Sequence, residues 1–326
     1  MTTTPIILTY NSRVDGAKYI GKHKFKSGHQ VPLYELNTTG ALNQIIGHAK
    51  FNNSEYGRVY YRGISGLYDN VLPALMRKRA RGIPYDLTQI LKSICENPYL
   101  KESLKLRDLQ ISHSLEDKCI NKRILRFNKY CAEALLQHYA GSTRFLDIVD
   151  NHWIAIWMGL HTFHMHGKRN IFCETIRRTI DFHNLYDAVK SGDISLLNKY
   201  VYLLLIAIPH STALPEYGIT ESEKFVIVDL RQALPSIYLR PHAQHALVVR
   251  KIDKHNVNQT ANYYDLSEQV IGVLRIRVDI ASEWLGMGML ATQQNLFPSP
   301  SIDQGYNNLL MHPEIFKHPF EIIKYY

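Results

Sequence analysis

Three short segments of this 326-residue chain hold residues able to do chemistry together. The first is Arg62-Gly63, inside the run Arg58-Val-Tyr-Tyr-Arg-Gly-Ile-Ser65. An arginine at a strand end presents a planar guanidinium that grips phosphate through two parallel hydrogen bonds. The glycine after it leaves room for a ligand to approach the backbone. The second is Gln137-His-Tyr-Ala-Gly-Ser-Thr-Arg-Phe-Leu-Asp147. It sets His138, Thr143, Arg144 and Asp147 between two apolar helical patterns, where buried charges need partners. An Arg144–Asp147 or Arg62–Asp147 pair would supply one, and an ion-pair network locking the helix junction fits the same residues. The third is Arg240-Pro-His-Ala-Gln244, ahead of a strand-like run; its spacing alone identifies no reaction.

These segments need elements to position them. The aromatic and β-branched run at 58–65 predicts a buried strand ending at Arg62-Gly63. Ile124, Phe127, Cys131, Leu135 and His138 recur at three- and four-residue steps, so a helix is expected over 115–138. Its other face carries Lys118, Lys122, Arg126 and Lys129, and a further basic cluster lies at 77–81. Asp150 or Asn151 caps a second helix to about His161, with Trp153, Ile156, Trp157 and Leu160 as its core stripe. Thr38 or Thr39 caps a helix over 40–51. Strands are expected at 5–10, 31–36, 171–175, 200–208, 225–229 and 246–251, and helices near 185–190 and at 264–274 and 303–312. The Gly- and Lys-rich segment between the first two strands reads as a loop. The fold class is α+β: a central mixed or antiparallel sheet, with a helical insertion at about 70–140 between the Arg62 strand and the later strands.

Lys and Arg number 38 against 29 Asp and Glu, a formal charge of +9, which draws polyanions without choosing among them. The four cysteines form no C-x-x-C pair, and the first residues lack a basic segment followed by a long apolar one. Reduced thiols in a cytoplasmic protein are expected. The longest apolar run, 200–209, is too short for a membrane helix. His161, His164 and His166 end the second predicted helix; no cysteine or nearby carboxylate completes a ligand shell, so no metal is expected.

Taken in order, Tyr61-Arg-Gly63, Leu72-Pro-Ala-Leu-Met-Arg77, Gln137-His-Tyr-x-Gly-x-Thr-Arg-x-Leu-Asp147, the Asn151…Ala155 helix, Arg240-x-x-x-Gln244 and Leu296-Phe-Pro298 resemble the FRG domain family. The resemblance spans 38–326 and leaves 1–37 as an N-terminal extension. It departs from the family pattern at Tyr61 (Phe there), at the extra Ala140, at Ile148-Val149 (Trp-Thr there) and at His245 (Gly there). The motif order is also similar to the arginine-type ADP-ribosyltransferases, which implies a transferase-like fold and NAD as substrate. On that likeness Arg62, Gly63, Tyr139, Arg144 and Arg240 would bind the nucleotide. Arg62, His138, Thr143, Asp147 and Gln244 would form the catalytic set, with Gln244 where the transferases carry Glu. Glutamine cannot act as a general base, which leaves Asp147 as the substitute carboxylate. The acceptor would be protein or nucleic acid, in bacterial or phage conflict. Two other readings stand beside this one: a basic nucleic-acid-binding module, and a nuclease using His138 and Asp147.

Overall fold

The computed structural model describes residues 4–9, 14–80, 129–139, 142–166, 170–175, 199–252, 261–286, 291–310 and 322–324. Its centre is β7 (Tyr200–Pro209), the longest apolar run of the sequence, buried along most of its length. On one side β7 pairs antiparallel with β3 (Gly57–Ile64), the strand carrying Arg62. On the other it pairs with β12 (Val270–Arg277), which in turn runs parallel to β2 (Gln30–Leu36). β1 (Ala17–Lys24) closes that edge. Beyond β3 come β4 (Leu146–Val149), β11 (Ala246–Lys251), β10 (Phe225–Asp229), β9 (Ile219–Glu221) and β8 (Thr212–Ala213), making one ten-stranded mixed sheet. β5 (His161–His166), β6 (Asn170–Thr175) and β13 (Ile322–Lys324) form a separate three-stranded sheet.

The chain connection fixes the shape of the large sheet. β7 ends at Pro209 and β8 starts at Thr212, yet six strand spacings lie between them in the sheet order. Laid flat, six spacings measure about 29 Å. Three peptide units reach about 11 Å at most. The sheet therefore curls until its β8 edge returns to the end of β7. Tyr60 and Ile206 from one half then share an inner core with Ile148, Ile227, Leu247 and Val249 from the other.

Helices cover both outer faces. α1 (Thr39–Asn52) is capped by the Thr38 hydroxyl, and Leu42, Ile45 and Ile46 on its buried side join Tyr61 of β3 in a second core. α2 (Ala74–Ala80) and α3 (Lys129–Tyr139) are the described ends of the expected helical insertion; residues 81–128 between them, and so most of the helix expected at 115–138, lie outside the described residues. α4 (His152–Gly159), capped by Asn151, lies across β3 and β7. α5 (Leu230–Ala233) and α6 (Leu239–Ala243) lie over β10 and β11. α7 (Val278–Trp284) follows β12, and α8 (Gln293–Leu296) and α9 (Gln304–Leu310) complete the set. Leu135 of α3, Leu230 of α5 and Leu309 of α9 pack with Val226 and Val248 as a third core.

Four expectations are corrected. The segment expected as helix at 264–274 is two 3-10 turns followed by β12. Its run Val-Ile-Gly-Val-Leu is short and apolar on both sides, a pattern that fits a buried strand as well as a helix. The expected loop at 17–24 is strand β1, whose polar composition suits a sheet edge. Residues 5–9 make no strand; the Leu8 amide donates to the Ile271 carbonyl (2.9 Å), and the Ile6 backbone is held at both its N–H and its C=O by the Asn53 side chain. His161–His166 is strand β5, so the helical i,i+3 spacing of His161 and His164 does not occur. The helix expected near 185–190 lies outside the described residues. The N-terminal 37 residues supply two strands of the main sheet.

Gly63 decides how closely α4 lies on β3. A Cβ there would stand 1.6 Å from the Ala155 carbonyl oxygen, which is backbone and cannot yield without moving the helix. Gly63→Ala is expected to destabilise the fold by about 3 kcal/mol through overpacking. Urea denaturation of the variant beside the wild type measures it.

Candidate functional site

β3 and β4 share a single register pair, Tyr61 opposite Val149. Where that ladder stops, the Arg62 side chain crosses the gap and its Nη1 donates to the Asp147 carbonyl oxygen at 2.6 Å. The same nitrogen lies 4.0 Å from the Asp147 carboxylate. That carboxylate accepts from Gln137 Nε2 at 2.7 Å, and Gln137 Oε1 accepts from the Thr143 hydroxyl at 2.7 Å. The Thr143 oxygen itself accepts from the Phe145 amide (3.1 Å). Each bond orients the next. A hydroxyl holding an amide proton turns its own hydrogen to Gln137, and the glutamine then presents its NH2 group to Asp147.

Burial dominates the electrostatics of this carboxylate. The Asp147 side chain is 45 % exposed, yet burial raises its pKa more than Arg62, Gln137 and Arg77 lower it. A carboxylate open to water on one side and ringed by protein on the others has both properties. Burial likewise lowers the Arg62 pKa, against the pull of Asp147, and the charge of Arg77 lowers it further. Arg77, exposed on α2, thus acts on both members of the pair.

The other expected site residues lie elsewhere. Gly63 faces the α4 backbone rather than a ligand. Arg144 is held by Glu133, with Nε and Nη2 donating at 3.0 and 2.6 Å and its amide at 2.9 Å. Glu133 is fully buried and also takes Arg250 Nη1 at 2.6 Å. This carboxylate between two arginines pins α3 to the 144 loop and to β11. Sequence reading missed it. Its one signal is an acid inside the apolar run Cys131-Ala-Glu-Ala-Leu-Leu136.

A second buried cluster takes His138, Tyr139 and Arg240. The Arg240 guanidinium lies 4.6 Å from the ring centres of Tyr139 and Tyr306 and 5.3 Å from that of Phe297. Its Nη1 donates to the His138 carbonyl at 3.3 Å, while its Nε and Nη2 are buried without a partner. Asp303, fully buried, accepts from the Tyr139 hydroxyl (2.7 Å) and the Arg240 amide (3.1 Å). The His138 Nε2 is also buried and unpartnered, and burial with the nearby Arg240 charge brings the imidazole pKa down to about 3. Gln244, at the end of α6, is buried and donates to the Leu296 carbonyl at 2.7 Å. Among the described residues no hydrogen bond joins Gln244 or His138 to Asp147. The structure thus gathers Arg62, Thr143 and Asp147 and adds Gln137, which the sequence reading quoted without assigning it a role.

No protein-family model, curated protein or solved structure matches the chain. His245 sits at φ 49°, in the left-handed region that glycine enters freely. Its Nδ1 lies 3.3 Å from Asp150 and 3.3 Å from Arg231 Nη1. Among the described residues no group of three or more His, Cys, Asp or Glu is placed to hold a metal, and no helix is long and apolar enough to cross a membrane.

The buried imidazole sets a pH dependence. A His138 pKa held near 3 in the folded chain, against 6.5 unfolded, gives stability that is present above pH 6.5 and lost as pH falls from 6.5 toward 3. His152 and His161, both brought down to about 4 mainly by burial, add in the same direction. His138→Phe is expected to remove about 2–4 kcal/mol of that acid loss. Denaturation midpoints at pH 7 and pH 4.5 test it; a variant that keeps the wild-type slope refutes the assignment.

Proposed function

We propose that the Arg62–Asp147 site binds NAD and that the chain is an FRG-type effector that transfers or hydrolyses ADP-ribose. One observation carries the reading: a guanidinium suited to phosphate and a half-exposed carboxylate lie 4.0 Å apart where β3 and β4 part. Arg62, with Arg77 beside it, would hold the pyrophosphate. Asp147 would stand at the ribose. In the reaction the bond between the ribose carbon and the nicotinamide nitrogen breaks, and the electron pair leaves with nicotinamide. The oxocarbenium-like centre is then attacked by an acceptor or by water, which loses a proton. A carboxylate near the ribose stabilises the developing positive charge and takes that proton. Gln137, braced by Thr143, fixes the carboxylate for this task. Gln244 is bound to the Leu296 carbonyl and has no part in it.

A phosphate-binding module without turnover is the second reading, favoured by the exposed Arg77 next to Arg62 and by the +9 charge. The basic surface expected at 118–126 lies outside the described residues.

Incubating the purified chain with labelled NAD and a lysate containing protein and RNA separates the two. Nicotinamide release is expected from the wild type, with a drop of at least about 100-fold in Asp147→Asn, the scale of a lost general base. Arg62→Ala is expected to weaken NAD binding. Because the base must be ionised and its pKa is raised, the rate should climb with pH along an acid limb above the ordinary carboxylate range. Absence of both nicotinamide release and calorimetric NAD binding rejects the enzyme.

A further inference from the structure

The curl of the large sheet leaves a cavity of about 310 Å³ at its rim, away from Arg62, Gln137, Thr143 and Asp147, none of which lines it. Its walls come from β3, the end of β7, the β8–β9 hairpin, β10 and β11. Closed or curled sheets hold ligands in such mouths, and this volume sits at the small end of the ligand-pocket range of about 300–1,000 Å³. The occupant is therefore small.

The lining defines its chemistry. Tyr60, Ile208, Ile219, Ile227 and Leu247 are buried and make an apolar floor. Three charged side chains reach the cavity: Arg58, Glu216 and Asp229. Asp229 is already neutralised, because Arg231 Nε and Nη2 donate to its two oxygens at 2.9 and 2.8 Å. Arg58 is exposed and has no carboxylate partner among the described residues. Glu216, in the turn between β8 and β9, has no side-chain partner among them. Arg58 and Glu216 do not pair with each other. Among the described residues, Arg58 and Glu216 thus stand as an unpaired cation and an unpaired anion around an apolar floor.

That arrangement complements a small zwitterion with an apolar body. We propose that the cavity binds a free aliphatic α-amino acid. Its carboxylate lies on Arg58 in the two-pronged geometry a guanidinium favours. Its ammonium lies on Glu216, and its side chain on Ile208, Ile227 and Leu247. The site stands on the cavity alone and does not depend on the NAD reading.

Calorimetry on the full chain with L-leucine, N-acetyl-L-leucine and L-leucinamide tests it. Leucine is expected to bind. The acetylated form lacks the cation and the amide lacks the anion, so each should bind at least ten-fold more weakly. Glu216→Gln should bring leucine down to the affinity of the acetylated form. Arg58→Gln should erase the preference for leucine over leucinamide. Both side chains lie at the cavity rim, and circular dichroism of the variants confirms that they fold. The proposal is overturned if leucine fails to bind the wild type, if a blocked form binds as tightly, or if both variants keep wild-type affinity.

Discussion

The passage from Pro209 to Thr212 governs the architecture. Two residues carry the chain from the middle of the large sheet to its far edge, a distance they can bridge only if the sheet bends back on itself. Bending turns one face inward, and that face becomes the inner core of Tyr60, Ile206, Ile227 and Leu247. The outer faces are then left to the helices, α1 and α4 over one half and α3, α5 and α6 over the other. Within the sheet β3 and β4 keep only one register pair, and Arg62 reaches the Asp147 carbonyl where they separate.

The buried charges fall into two kinds. Glu133 meets Arg144 and Arg250 with short bonds to both, a closed network whose loss leaves an uncompensated charge in the interior. Arg240 is enclosed by three aromatic rings and by the buried Asp303 network. The first ties α3 to the 144 loop and β11, and the second packs α3 against α6 and α9. Asp147 differs from them. Arg62 is 4.0 Å from its carboxylate and spends its short bond on the backbone carbonyl, so the carboxylate keeps a raised pKa and an open side. A group held in place but incompletely neutralised is what a reaction centre needs.

The sequence made part of this legible. Caps at Thr38 and Asn151, the central strand at 200–209 and the strand bearing Arg62 all follow from local signals: a hydroxyl or amide before a helical period, and long apolar or aromatic runs. Thr143 and Asp147 were readable because polar residues between two apolar helices must be used, and Arg62 because it stands at the end of an aromatic and β-branched run with Gly63 after it. β12 was not, since Val270–Ile276 has no periodicity of its own and takes its form from β2 and β7 on either side. Nor were the separate destinations of Gln137 and His138, adjacent in sequence. They depend on where α6 and the 144 loop meet α3, which is tertiary information. The curl was invisible for the same reason: it follows from strand order, and strand order is not written locally.

The two ends of the large sheet carry a last consequence. One is β8, two residues long and folded back toward β7. The other is β1, whose outer side has no neighbouring strand among the described residues and which exposes Lys18, Lys22 and Lys24. A docking strand from a second molecule would have to bring another row of positive charge against the first, and burying lysine there is unfavourable. The first edge is too short to template a strand and the second repels one. Neither edge of the ten-stranded sheet thereby invites the edge-to-edge stacking that such sheets are prone to.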